Sequence, residues 1–139
     1  MVNSVNVSRY AEMPPEPDSQ ERTIANGPLY SVAELQAALQ DQGLVLWTQR
    51  AIRNAQALGL DHDDVLDLLL EALDRGRYHQ SEWCQQKPRG PWAASDVYLL
   101  TRREWNDNAF RELPVAYYLK FALAKSGRVV LTVSCHVQQ

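Results

Sequence analysis

Tyr118, Lys120, Ser134 and His136 stand two positions apart within two neighbouring runs of β-formers, Pro114–Ala124 and Val129–Val137. Residues two apart in a strand share a face. If the runs pair in register, a phenol, an ammonium, a hydroxyl and an imidazole meet on one polar surface, with Thr132 beside them. Such a set suits proton transfer next to an anion. An imidazole gives or takes a proton near neutral pH, and an ammonium or guanidinium neutralises phosphate. RNA can be cut without a metal by groups that take the 2′-hydroxyl proton and protonate the leaving oxygen. They must also stabilise charge on the phosphorus oxygens. His79 is the second imidazole in a strand-like run. The chain has no P-loop, Gly-rich dinucleotide turn, zinc spacing or nucleophile elbow. A polar outer face is also what a half-solvated antiparallel sheet presents by default.

The two runs are joined by Lys125-Ser126-Gly127-Arg128. Val115, Tyr117, Leu119, Phe121 and Leu123 alternate on one side of the first. Val129, Leu131, Val133, Cys135 and Val137 alternate on one side of the second. Bringing these apolar faces together requires odd-numbered residues opposite odd-numbered ones. A two-residue Ser126-Gly127 loop would pair odd with even and turn one strand over. The pattern therefore predicts a three- or five-residue connection, or a bulge, with Gly127 at positive φ.

Upstream elements must hold this hairpin in place. Ser31 and Glu34 form a capping box, opening a helix with Val32, Leu35, Ala38 and Leu39 as its stripe and Gly43 as its stop. Leu44–Trp47 reads as a short buried connector or strand. Thr48 caps a helix from Gln49 to about Leu58, ended by Gly59. Asp61 caps a third helix, closed by Gly76, and Asp61-His62-Asp63-Asp64 fits a helix start rather than a metal cluster. The texture then changes to strands at Arg77–Trp83 and Ser95–Thr101, with a basic loop over 85–91. Arg102–Leu113 is expected as an ordered loop or short helix. These elements imply an α+β domain over residues 30–139, three N-terminal helices packed on a four-stranded, mostly antiparallel sheet. Residues 1–29, with Pro14, Pro15, Pro17 and Pro28, are expected as a flexible tail or a segment wrapping the domain.

A chain of 139 residues is long enough for one domain with a real core. No apolar run approaches the roughly 20 residues of a membrane span. No basic region precedes an apolar block, so no secretory signal is expected. Cys84 and Cys135 form neither a metal spacing nor a disulfide framework, which suggests a reduced, cytoplasmic protein. Residues 1–74 carry 4 Lys/Arg and 12 Asp/Glu, a charge of −8, while residues 75–139 carry 10 and 5, a charge of +5. The half with the candidate site is the basic one, which suits an anionic ligand.

Several short stretches resemble a known family. They are Ala57-Leu58-Gly59-Leu60-Asp61, Tyr78 soon after the third helix, Trp92 followed by Asp96-Val97-Tyr98, Tyr118-Leu119-Lys120, and Leu131-Thr132-Val133-Ser134. In this order they resemble the MqsR (motility quorum-sensing regulator) toxins of type II toxin–antitoxin systems, over roughly residues 31–137. The resemblance implies a compact RelE-like fold and cleavage of mRNA with neither metal nor cofactor. It also implies inhibition by an antitoxin encoded nearby. The family's catalytic tyrosine falls on Tyr118, its two lysines on His79 and His136, and its glutamine on Ser95. Only Tyr118 matches outright, although both histidines keep a protonatable nitrogen. The expectation is therefore an mRNA endoribonuclease with His79, Tyr118 and His136 catalytic, and with Lys120, Ser95, Arg77 and Ser134 contacting RNA. The alternative is a weak or inactive relative acting as an RNA- or protein-binding regulator.

Overall fold

Each helix begins where a side chain can accept an otherwise unpaired backbone N–H. The computed structural model describes residues 5–16 and 19–138. Helix α1 (Val32–Gln40) is capped by Ser31, which accepts from the Glu34 N–H at 3.1 Å. Helix α2 (Gln49–Leu58) is capped by Thr48, which accepts from the Ala51 N–H at 3.0 Å. It ends at Gly59 with φ of 68°, a left-handed position that glycine adopts freely. Helix α3 (His62–Arg75) opens with a reciprocal capping box between Asp61 and Asp64. The acidic turn is thus used by the backbone. Among the described residues no helix is long and apolar enough to cross a membrane.

Among the described residues the sheet has six strands, not the four of the RelE-like arrangement expected from the sequence. They are β1 (Thr23–Ile24), β2 (Leu44–Leu46), β3 (Arg77–Gln85), β4 (Trp92–Asn106), β5 (Arg111–Leu123) and β6 (Val130–Val137), in the order β1-β3-β4-β5-β6-β2. The β2–β6 pair is parallel and the others are antiparallel, so the sheet is mixed. The two extra strands are the rims. A strand of two or three residues is too short to show a period-2 pattern.

The segment Arg102–Leu113 is neither loop nor helix. Strand β4 runs on to Asn106 and β5 starts at Arg111, making a two-stranded ribbon that outruns its neighbours. Strand β3 last pairs at Leu99, and β6 pairs no further than Tyr117. Both ribbon faces meet solvent, so it carries no apolar alternation. At its root the Arg102 guanidinium bonds the Glu71 carboxylate of α3 at 2.8 Å, and the Tyr117 hydroxyl donates to Glu104. At its tip Trp105 and Phe110 are 61% and 79% exposed.

The core lies between the sheet and helices α1 and α3. Leu35 and Leu39 of α1 and Val65, Leu69 and Leu73 of α3 pack with Leu100, Leu119, Phe121 and Cys135. Tyr98 stacks on Phe121 with centroids 5.5 Å apart. Part of the N-terminal segment lies on this structure: the Val7 N–H bonds Trp92 O and the Arg9 N–H bonds Leu123 O, with Ser8 buried. Further on, the Leu29 and Tyr30 N–H groups and the Ser81 hydroxyl donate to the buried carboxylate of Asp96.

The last hairpin reaches its register through a bulge. Gly127 has φ of 75°. Near the turn Leu123 faces Val130 and Phe121 faces Thr132, odd against even. The extra residue, Val133, restores even against even, so Lys120 faces Ser134 and Tyr118 faces His136. Thr132 therefore leaves the polar face expected of it and sits across from Phe121.

Helix α2 lies along the outer edge of β6 beyond β2. The Thr48 hydroxyl donates to Val133 O at 2.7 Å, and the Cys135 N–H donates to Asn54 Oδ1 at 3.1 Å.

Candidate active site

On the sheet face away from α1 and α3, side chains form transverse rows set by the strand pairing. One row runs Arg77, Leu99, Tyr118, His136 across β3, β4, β5 and β6. The next runs Gln80, Val97, Lys120, Ser134, and beyond it Glu82 faces Ser95.

Tyr118 and His136 are stacked, with ring centroids 4.8 Å apart and planes at 15°. Lys120 Nζ lies 5.7 Å from the Tyr118 ring centroid. The same ammonium is 2.6 Å from Glu82 Oε1, and the two side chains are only 12% and 24% exposed. Burial opposes the charge on Lys120, but the hydrogen bond and charge of the Glu82 carboxylate, joined by Cys84 only once that thiol ionises at high pH, outweigh it and hold its pKa above the ordinary lysine range. Burial pushes the Cys84 thiol up, with Lys120 pulling partly back, so it is protonated and poorly nucleophilic near neutral pH.

The structure thus brings together Tyr118, His136, Lys120 and Ser134. It does not bring His79 to them. His79 is exposed in a β3 bulge, between the Tyr78–Tyr98 and Gln80–Val97 pairs. Strand β4 separates it from Tyr118, so two strand spacings, roughly 10 Å, lie between their backbones. Arg77 is exposed at the far end of the Tyr118 row. Ser95 is fully buried; its hydroxyl has no ordinary hydrogen bond, and the Cys84 thiol is its neighbour. Ser134 is 1% exposed, and its hydroxyl also has no partner.

A cavity of about 640 Å³ opens beside Lys120 and Ser134. Its floor is sheet, and one wall is the first turn of α2 with Thr48, Gln49, Arg50 and Arg53. The opposite wall is the β3–β4 loop at Lys87 and Pro88. Sequence patterns did not single out Glu82, Arg22, Arg50 or Arg53. The usable signals were Glu82 alternating with Gln80 in β3 and the three-residue spacing of the two α2 arginines. Comparison with known proteins adds no relative to this geometry: no family model matches the chain, nor does any curated protein or any solved structure.

Proposed function

We propose that the chain cleaves RNA by general acid–base chemistry, with Tyr118 and His136 as the reacting pair. The observation that carries this is their stack at 4.8 Å beside a cationic cavity. His136 takes the proton of a 2′-hydroxyl, whose oxygen attacks the adjacent phosphorus. Tyr118 gives its proton to the departing 5′-oxygen, leaving a 2′,3′-cyclic phosphate and a 5′-hydroxyl end. The Lys120 ammonium over the Tyr118 ring offsets the negative charge that step creates. His79 is too distant to share that phosphate and would serve, with Arg77, as a contact for RNA further along.

The likeness around Tyr118-Leu119-Lys120 supports a cytoplasmic mRNA interferase toxin, held by an antitoxin encoded beside it. A second role, RNA or protein binding without cleavage, is favoured by one observation: Glu82 occupies the ammonium that would otherwise meet phosphate.

Incubation of purified protein with mRNA in EDTA tests the proposal. The wild type should cut, and His136→Ala should be at least about 100-fold slower. Equal cutting by both proteins, or none by either, would remove the nuclease assignment. Expression should arrest growth in the wild type alone.

A further inference from the structure

We infer that the cavity beside Lys120 and Ser134 is an anion site that holds a backbone phosphate of single-stranded RNA next to the reacting one. This deepens the nuclease proposal and rests on it for the identity of the chain bound. Three independent features meet there. The first is charge: Arg22, Arg50, Arg53, Lys87 and Lys120 line the cavity against the single carboxylate of Glu82. Three of the four basic residues in the acidic half of the chain are thus gathered at this one place.

The second is the start of α2, which carries no acidic residue in its first turn. The Thr48 cap engages Ala51. The N–H groups of Gln49 and Arg50 stay outside the helix's own bonding, where a helix start favours an anion. The third is Ser134, whose buried, unpartnered hydroxyl belongs to a residue of the cavity lining. An orphaned buried hydroxyl is costly, and an anionic oxygen would satisfy it.

Spacing points to RNA. The Lys120–Ser134 row lies two residues along the strands from the Tyr118–His136 row, about 7 Å. That is close to one nucleotide step in an extended single strand.

The test measures binding and cleavage separately, using inorganic phosphate, adenosine 5′-monophosphate and a 2′-O-methyl oligoribonucleotide that cannot be cut. Gln49→Glu adds a negative charge at the helix start, where it favours folding but repels an anion. Ser134→Ala removes only the hydroxyl. Expected are phosphate-dependent shifts of the Gln49, Arg50 and Ser134 amide resonances, and tighter binding of the oligomer than of the mononucleotide. Gln49→Glu should weaken oligomer binding about tenfold with an unchanged or higher melting temperature, and Ser134→Ala by a few-fold.

No binding of any of the three probes, or binding indifferent to Gln49→Glu, would overturn the site. A mononucleotide that binds as tightly as the oligomer would overturn RNA as its occupant. Binding that follows these rules in a protein that cuts no RNA would sink the nuclease while leaving the anion site standing. Cutting without such binding would do the reverse.

Discussion

Glu82→Gln should make the protein less stable and a better binder of anions at once. Lys120 Nζ and Glu82 Oε1 are 2.6 Å apart, with side chains 12% and 24% exposed. Two unit charges about 4 Å apart attract by roughly 4 kcal/mol at an effective dielectric near 20. Desolvation of both groups offsets much of that, and deleting one partner of a fully buried pair costs about 3–5 kcal/mol. The remaining exposure and the carbonyl retained by glutamine reduce the expected loss to about 2 kcal/mol. For a chain of this size that is roughly 6–8 °C in melting temperature.

The pH dependence has a definite sign. The folded pKa of Lys120 is raised, so its stabilising contribution is complete below the unfolded lysine value near 10.4 and fades as pH rises through the folded value. The stability gap between wild type and Glu82→Gln should therefore narrow above about pH 10. Meanwhile the variant removes the one carboxylate lining the cavity and frees an ammonium, so oligoribonucleotide affinity should rise about tenfold at fixed salt. Thermal melts between pH 6 and 11, with fluorescence anisotropy on the same samples, measure both. An unchanged melting temperature, or stability and affinity falling together, would refute the account of this pair.

Other outcomes follow from individual contacts. Asp96→Asn turns an amide NH₂ toward donors from Leu29, Tyr30 and Ser81, and should cost about 2–3 kcal/mol in urea unfolding. Burial, more than the hydrogen bonds that oppose it, raises the Asp96 pKa above 3.8. The folded state thus holds that proton more tightly than the unfolded one, and stability should fall as pH rises from about 4 through the raised value. The asparagine variant should lose that slope. Thr48→Ala removes both the bond from Ala51 and the bond to Val133, and should cost about 1–2 kcal/mol. Replacing Trp105 and Phe110 together by Ser should change stability by no more than about 0.5 kcal/mol, because neither side chain is packed.

The helices were legible because their boundaries are written in single residues. Ser31, Thr48, Asp61 and Gly59 each do locally what their types predict. The Tyr118–His136 pair was legible because alternation fixes faces, and the need for either an odd-length connection or a bulge followed from parity alone. Where that bulge would fall was not, since nothing distinguishes Val133 from Val129 or Val137 as the extra residue. Thr132 was misplaced for that reason. The β3 bulge at His79 gave no warning either, and that imidazole stands apart from the cluster it was expected to join. The ribbon was hidden for another reason: strands with solvent on both sides have no hydrophobic period to detect. Lys120 looked free because its partner, Glu82, lies two strands away, a distance that spacing along the chain does not encode.

The shielding of β6 by α2 has a consequence for how this molecule can meet others. Main-chain groups on that flank are engaged: Thr132 O by the Trp47 N–H, Val133 O by Thr48, and the Cys135 N–H by Asn54. The sheet's outermost members, β1 and β2, are two and three residues long. At these two rims an incoming extended peptide would find almost no ladder to continue, whereas the β4–β5 ribbon, past Leu99 on β4 and before Ala116 on β5, keeps open edges. A partner at the short rims must be recognised by side chains, and one that adds a strand would do so along the ribbon.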